Sequence, residues 1–166
     1  MQPGTARQFS TRSQDYAVIT TEAHSTLTTV WNAQRAFVVE LGRALHATLP
    51  ASERGISMHG RDLKPDAEGI GAQLQYRLDD GTGGPGQACF VIDIALKRGR
   101  TSLIWDVNAV SVQSRGDGDY SITARQSFTL PVMRRTQLRS LFANDLTRIA
   151  ADFLCHASET HAEIAS

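Results

Sequence analysis

Between Gly86 and Leu130 apolar and polar residues alternate with a regularity that few backbones other than a half-buried antiparallel sheet can hold. Cys89-Phe90-Val91-Ile92-Asp93-Ile94-Ala95-Leu96 alternates, and so does Leu103-Ile104-Trp105-Asp106-Val107-Asn108-Ala109. Successive side chains of a strand point to opposite faces, so each run presents one apolar and one mixed face. Arg98-Gly99-Arg100-Thr101 lies between them. A two-residue Gly99-Arg100 loop predicts a type II′ hairpin, because Gly supplies the positive φ at the first central position. In that register Asp93 stands opposite Asp106, and Val91 opposite Asn108.

Strands are expected at Ile70–Leu78, Ala88–Lys97, Thr101–Gln113 and Tyr120–Leu130, with a short edge strand over Tyr16–Thr21. The last long strand reads with Tyr120, Ile122, Ala124, Phe128 and Leu130 on its apolar face. The stretches between them, 79–86, Gly99-Arg100 and 114–118, are short and rich in turn residues, so the strands form an antiparallel meander. Leu27, Val30, Trp31, Phe37, Val38, Leu41, Leu45 and Leu49 recur at helical spacing, which predicts a helix from Ser25 (as N-cap) to Leu49, stopped by Pro50. Leu138, Leu141, Phe142, Leu146, Ile149, Phe153 and Leu154 do the same for a helix over Thr136–His156. Residues 50–69 read as irregular, with a weak strand near Ile56–His59. The expected class is α+β: a four- to five-stranded antiparallel meander with two long amphipathic helices on one face, in the order β-α-β-β-β-β-α. The domain spans 14–157, between polar tails at 1–13 and 158–166.

Composition narrows the function classes. The chain has 166 residues, enough for one domain with a real core. Basic and acidic residues both number 17, so a nucleic-acid partner, which needs a basic footprint, is not expected. No apolar run approaches the ~18 residues of a membrane span. The two cysteines, Cys89 and Cys155, make no disulfide framework and fit a reducing compartment. The cytoplasm is the expected location, or the periplasm where an export signal has been removed.

The face away from the helices carries the only chemical signal. Gln73, Gln75, Arg77, Asp93, Asp106, Asn108, Thr123, Arg125 and Ser127 share it by alternation. Asp93, Asp106 and Arg125 are expected to form a row across three strands. Facing carboxylates repel, and they raise one another's pKa, which is how an acid and a base come to coexist. Arg125 and Arg77 offer the plainer account, a solvated surface on which they neutralise the two aspartates. Cys89, Val91, Ile104, Val110 and Val112 make the same face less polar than a wet surface, which suggests a cover.

Other signals are weaker. Arg115-Gly116-Asp117 and the glycine-rich 81–86 stretch read as turns, the latter lacking the following helix and Lys of a phosphate loop. The five histidines show no metal spacing, and no Gly-x-Ser-x-Gly elbow occurs. No catalytic residue, metal ligand or cofactor is therefore assigned.

In topology alone, a four-stranded meander with two long helices resembles accessory and assembly proteins of bacterial envelope machinery and, loosely, helix-grip ligand-binding domains. Three readings result. The first is a non-enzymatic protein-binding or adaptor module, for instance in a bacterial secretion, transport or envelope assembly. It would dock a partner or a second copy through Asp93, Asp106, Arg125, Arg77, Val91 and Asn108, or through an edge strand. The second is a carrier of a small apolar ligand between sheet and first helix, near Trp31, Tyr76 and Trp105. The third is an enzyme using the paired aspartates.

Overall fold

The computed structural model describes the backbone of residues 5–49, 55–78, 88–114 and 119–165, and the side chains of 26–157 within those ranges. The 81–86 and 115–117 turns lie outside the described residues, as does Pro50. Helix α1 (Thr5–Thr48) is followed by β1 (Ile56–Asp62), β2 (Gly69–Leu78), β3 (Ala88–Arg98), β4 (Leu103–Ser114) and β5 (Tyr120–Pro131). Helix α2 (Arg135–Ser140) continues through a π-helical stretch, Leu141–Leu146, into α3 (Thr147–Ala165). The five strands form one antiparallel sheet in sequential order, an α+β meander backed by helices.

Two expectations are corrected at the N-terminal side. Tyr16–Thr21 is helical backbone within α1, so it forms no edge strand, and Ser25 lies inside the helix rather than capping it. The helix also includes residues 5–13. The β-branched run Val18-Ile19-Thr20-Thr21 favours a strand only where neighbouring strands receive it. The fifth strand is instead β1, the weak 56–59 signal extended to Asp62, which pairs along β2 from Ile56↔Leu78 to Asp62↔Ala72. The element order is therefore α-β-β-β-β-β-α.

The core lies between the sheet and the helices. Leu27, Trp31, Val38, Leu41 and Leu45 of α1 are buried against Leu74, Tyr76, Phe90, Ile92 and Trp105 of the sheet. Gly42 permits the close approach. A Cβ there would stand 2.8 Å from Leu74 Cδ1 and 2.9 Å from Met58 Cε. Its carbonyl accepts a 2.8 Å hydrogen bond from the buried Tyr76 hydroxyl, which fastens helix to sheet. His46 Nε2 bonds the Ile56 carbonyl, tying the end of α1 to the start of β1.

Along the C-terminal helix Leu138, Phe142, Leu146, Ala150 and Leu154 are buried. A strict four-residue spacing drifts around an ideal 3.6-residue helix, and the wide π turn takes up part of that drift. The Thr147 hydroxyl donates to the Phe142 carbonyl at 2.6 Å within that turn.

The β3–β4 hairpin differs from expectation by two residues. Gly99 N–H bonds Ser102 O at 2.7 Å, and Arg98 pairs with Leu103, so the turn centres on Arg100-Thr101. Gly99 does not take a positive φ, so no type II′ turn forms there. A shift of two keeps every side chain on its face and changes only its neighbours. Asp93 therefore faces Asn108, Asp106 faces Ala95, and Val91 faces Val110.

β5 departs in a different way. Ser111 pairs with Ala124 but Val112 pairs with Ile122, which leaves Thr123 as an extra residue in a β-bulge. Thr123 Oγ1 donates to Ser111 O at 3.2 Å. The extra residue reverses the alternation beyond it. Tyr120 and Ile122, expected in the core, lie on the outer face instead, 51% and 57% exposed.

Candidate functional site at the outer sheet face

The outer face divides into a polar field and an apolar corner. In the field, one row crosses all five strands: Arg61↔Gln73↔Asp93↔Asn108↔Ser127. Arg61 Nε donates to Gln73 Oε1 at 2.8 Å, and Gln73 Nε2 donates to Asp93 Oδ1 at 2.8 Å. Gln75 Nε2 donates to Gln73 Oε1 at 2.6 Å, and Arg77 donates to Gln75 Oε1 at 3.0 Å. Two glutamine amides thus link the Arg77 and Arg61 guanidinium groups to the Asp93 carboxylate. At the far end Ser127 Oγ donates to Asn108 Oδ1 at 2.6 Å.

The expected row of Asp93, Asp106 and Arg125 is not assembled. Asp106 stands between Ala95 and Thr129 and pairs with Lys97 at 2.8 Å. The Asp106 carboxylate holds the Lys97 ammonium above the usual lysine value, chiefly through their hydrogen bond. Arg125 is exposed opposite Val110. The two aspartates meet different partners on different rows, so they do not form an acid–base pair. The cations that serve them are Lys97 and Arg61, which sequence reasoning missed, and Arg77; the two arginines reach Asp93 through amides.

The apolar corner lies where the end of β2, the start of β3, the end of β4 and the start of β5 meet. Gln75, Arg77, Cys89, Val91, Val112 and Tyr120 line a recess of about 170 Å³ there. Cys89 is half-buried in its lining, and burial pushes its thiol pKa up, with Arg77 opposing. A thiol held protonated is a poor nucleophile. Ile122, across from Val112, extends the apolar surface to the edge. Val91 belongs to this corner and Asn108 to the polar field. Alternation alone hid Tyr120 and Ile122, because it cannot register an inserted residue.

Trp31, Tyr76 and Trp105 are core side chains, 3%, 0% and 0% exposed. The two indoles pack edge-to-face with ring centres 6.2 Å apart, and Tyr76 is engaged on Gly42. An opening between α1 and the sheet does exist, but at the β1–β2 side. It is a groove of about 290 Å³ with Val39, Met58, Ala72 and Leu74 on its apolar walls and Arg35, Arg43 and Asp62 at its polar rim. Arg35 grips Asp62 there through two bonds of 3.0 and 3.1 Å.

Among the described residues no group of three His, Cys, Asp or Glu side chains could hold a metal ion. No described helix is long and apolar enough to cross a membrane. The fold and the surface define an α+β meander with a mixed sheet face that no described helix covers. No protein-family model matches the chain, and no curated protein and no solved structure is found similar to it.

Proposed function

We propose that this protein is a non-enzymatic binding module that docks a protein partner, or a second copy of itself, through the apolar corner of its outer sheet face. The observation that carries this reading is the bulge at Thr123, which places Tyr120 and Ile122 beside Val112, Val91 and Cys89. An inserted residue that exposes two large apolar side chains sacrifices burial in the protein's own core. Occupation of the corner by another chain restores it. The aspartates, engaged with Lys97 and Gln73, support a structural role over catalysis. The topology fits an accessory role of the kind found in bacterial envelope assemblies.

Sedimentation velocity over a range of concentrations tests the reading, with solvent exposure of Tyr120 and Ile122 followed by NMR. Self-association lost in Ile122→Asp supports it. So does a monomer whose corner becomes protected only when a purified partner is added. A monomer at every concentration, whose corner stays hydrated with each purified candidate partner, removes it.

One observation favours a second reading, a small-ligand carrier: the groove beside Val39 and Met58. Anilinonaphthalene sulfonate, an aromatic anion, should fluoresce on the wild-type protein and not on Val39→Trp, which fills the groove. Equal fluorescence from both would discard that reading.

A further inference from the structure

A second surface lies at the opposite end of the strands from the apolar corner, where the β3–β4 hairpin meets the turn into α2. Val132 N–H bonds Leu103 O at 3.3 Å, which joins that turn to the start of β4. Beside this junction lies a groove of about 360 Å³ lined by Val30, Gln34, Leu103, Val132, Met133 and Arg135. Met133 is 91% exposed, the most exposed of the large apolar side chains described. An unbranched thioether on a groove rim adapts to varied apolar contacts.

Arg135 lines this groove, and Arg98, Arg100, Arg134 and Arg139 belong to the hairpin, turn and helix that supply its other residues. Arg98 pairs with Leu103, on the helix side of the sheet, and Arg100 lies in the hairpin turn. Arg134 follows Met133 directly. Arg135 donates to Gln34 Oε1 at 2.9 Å, and its guanidinium stands 5.0 Å from the Phe37 ring centre. Arg139 stacks on the same ring at 5.4 Å. The ion pairs among the described residues are Arg35–Asp62, Lys97–Asp106 and Arg148–Asp145, so none of these five arginines has a carboxylate partner there. The carboxylates of Asp66 and Glu68 act on Lys97, on the outer side of the sheet. In a chain of zero formal net charge, this gathers at one end positive charge that has no carboxylate partner among the described residues.

We propose that this end binds an acidic peptide segment of another protein. An apolar anchor of the segment enters the groove at Leu103, Val132 and Met133, and its flanking carboxylates meet Arg98, Arg100 and Arg134. Guanidinium groups take carboxylates in bidentate pairs, and a concave apolar groove between them accepts a side chain. A bilayer would touch only what protrudes and would leave the groove unfilled. The proposal is independent of the outer-face reading, since the two surfaces share no residue.

The test is fluorescence anisotropy on the full chain. The probe is a labelled peptide with Leu and Phe set among Asp and Glu residues, and its counterpart has Lys in place of every acid. The acidic peptide should bind and the basic one should not. Affinity should fall at least tenfold in the Arg98→Glu/Arg134→Glu double variant and also in Met133→Asp. It should stay unchanged in Arg148→Glu, which alters charge elsewhere. It should weaken as salt rises from about 50 to about 300 mM, as screened surface charges require. Circular dichroism checks that each variant is folded, and Arg100→Glu serves if one is not. Absence of peptide binding, equal loss in Arg148→Glu, or binding to phosphatidylserine vesicles in preference to the peptide would overturn the proposal.

Discussion

Phe90 and Val91 are neighbours on one strand and inhabit different surroundings. Phe90 is fully buried, its ring 6.4 Å from that of Tyr76, under helices that close the inner face. Val91 is half-buried on the outer face, beside Gln75, Val110 and a shallow recess. The inner face is held by shape: large side chains interdigitate, and the buried hydroxyl of Tyr76 is spent on the helix backbone. The outer face is held by a lattice of amides, guanidinium groups and carboxylates, with an apolar corner left over. The comparison teaches that the same alternating pattern can supply a core on one side and a polar lattice with an apolar corner on the other.

The largest test of this contrast is truncation of the two neighbours. Phe90→Ala should cost about 3–5 kcal/mol in urea unfolding, because it opens a cavity under the helices. Val91→Ala should cost less than about 1 kcal/mol, since its site is already open. Equal losses would mean that the outer face is covered within the monomer.

Next in size is the link between the layers. Tyr76→Phe should lower stability by about 1 kcal/mol through loss of the bond to the Gly42 carbonyl. A neutral result would show that the ring alone seats the helix.

A smaller effect concerns the aspartates. In a double-mutant cycle, Asp93→Asn and Asp106→Asn should add to within about 0.5 kcal/mol, because they share no partner. Strong coupling would restore the facing pair. The Lys97–Asp106 pair is partly exposed, and its worth is under about 1 kcal/mol. Because Asp106 raises the Lys97 pKa, that contribution is complete below the ordinary lysine value and is lost as pH climbs through the raised one. Asp106→Asn should flatten this alkaline dependence.

The smallest effect is read chemically at the corner. Burial raises the Cys89 pKa, so alkylation by iodoacetamide should reach its half-rate at a higher pH than for an exposed thiol. Arg77→Gln should push that midpoint higher still, since Arg77 opposes the shift.

Much of the architecture was legible in advance, and particular residues show why the rest was not. A period of two puts Leu74, Tyr76, Ile92, Ile94, Trp105 and Val107 on the core face, and all are buried. Asp93 was placed on the right face with the wrong neighbour. Gly99 is a good residue for a tight turn, yet its neighbours turn one position later, and the local pattern reads the same in both registers. The same period puts Tyr120 and Ile122 on the wrong face, because Thr123 looks like any other strand residue until Ser111 pairs beside it. The β1 strand, punctuated by Gly60, drew its order from the β2 edge rather than from its own propensity.

The sequence by itself determined the α+β class, the meander, the two amphipathic helices and the face that most strand residues occupy. These depend on periodicity and turn chemistry, which are local and survive a two-residue slip. Only the tertiary structure decided the register of the β3–β4 hairpin, the bulge in β5, the strand on the β2 edge and the gathering of arginines around Met133. Each of those is set by contacts between different strands and helices, most of them neighbours in the chain. Their energies depend on which side chains meet, and no local pattern records that.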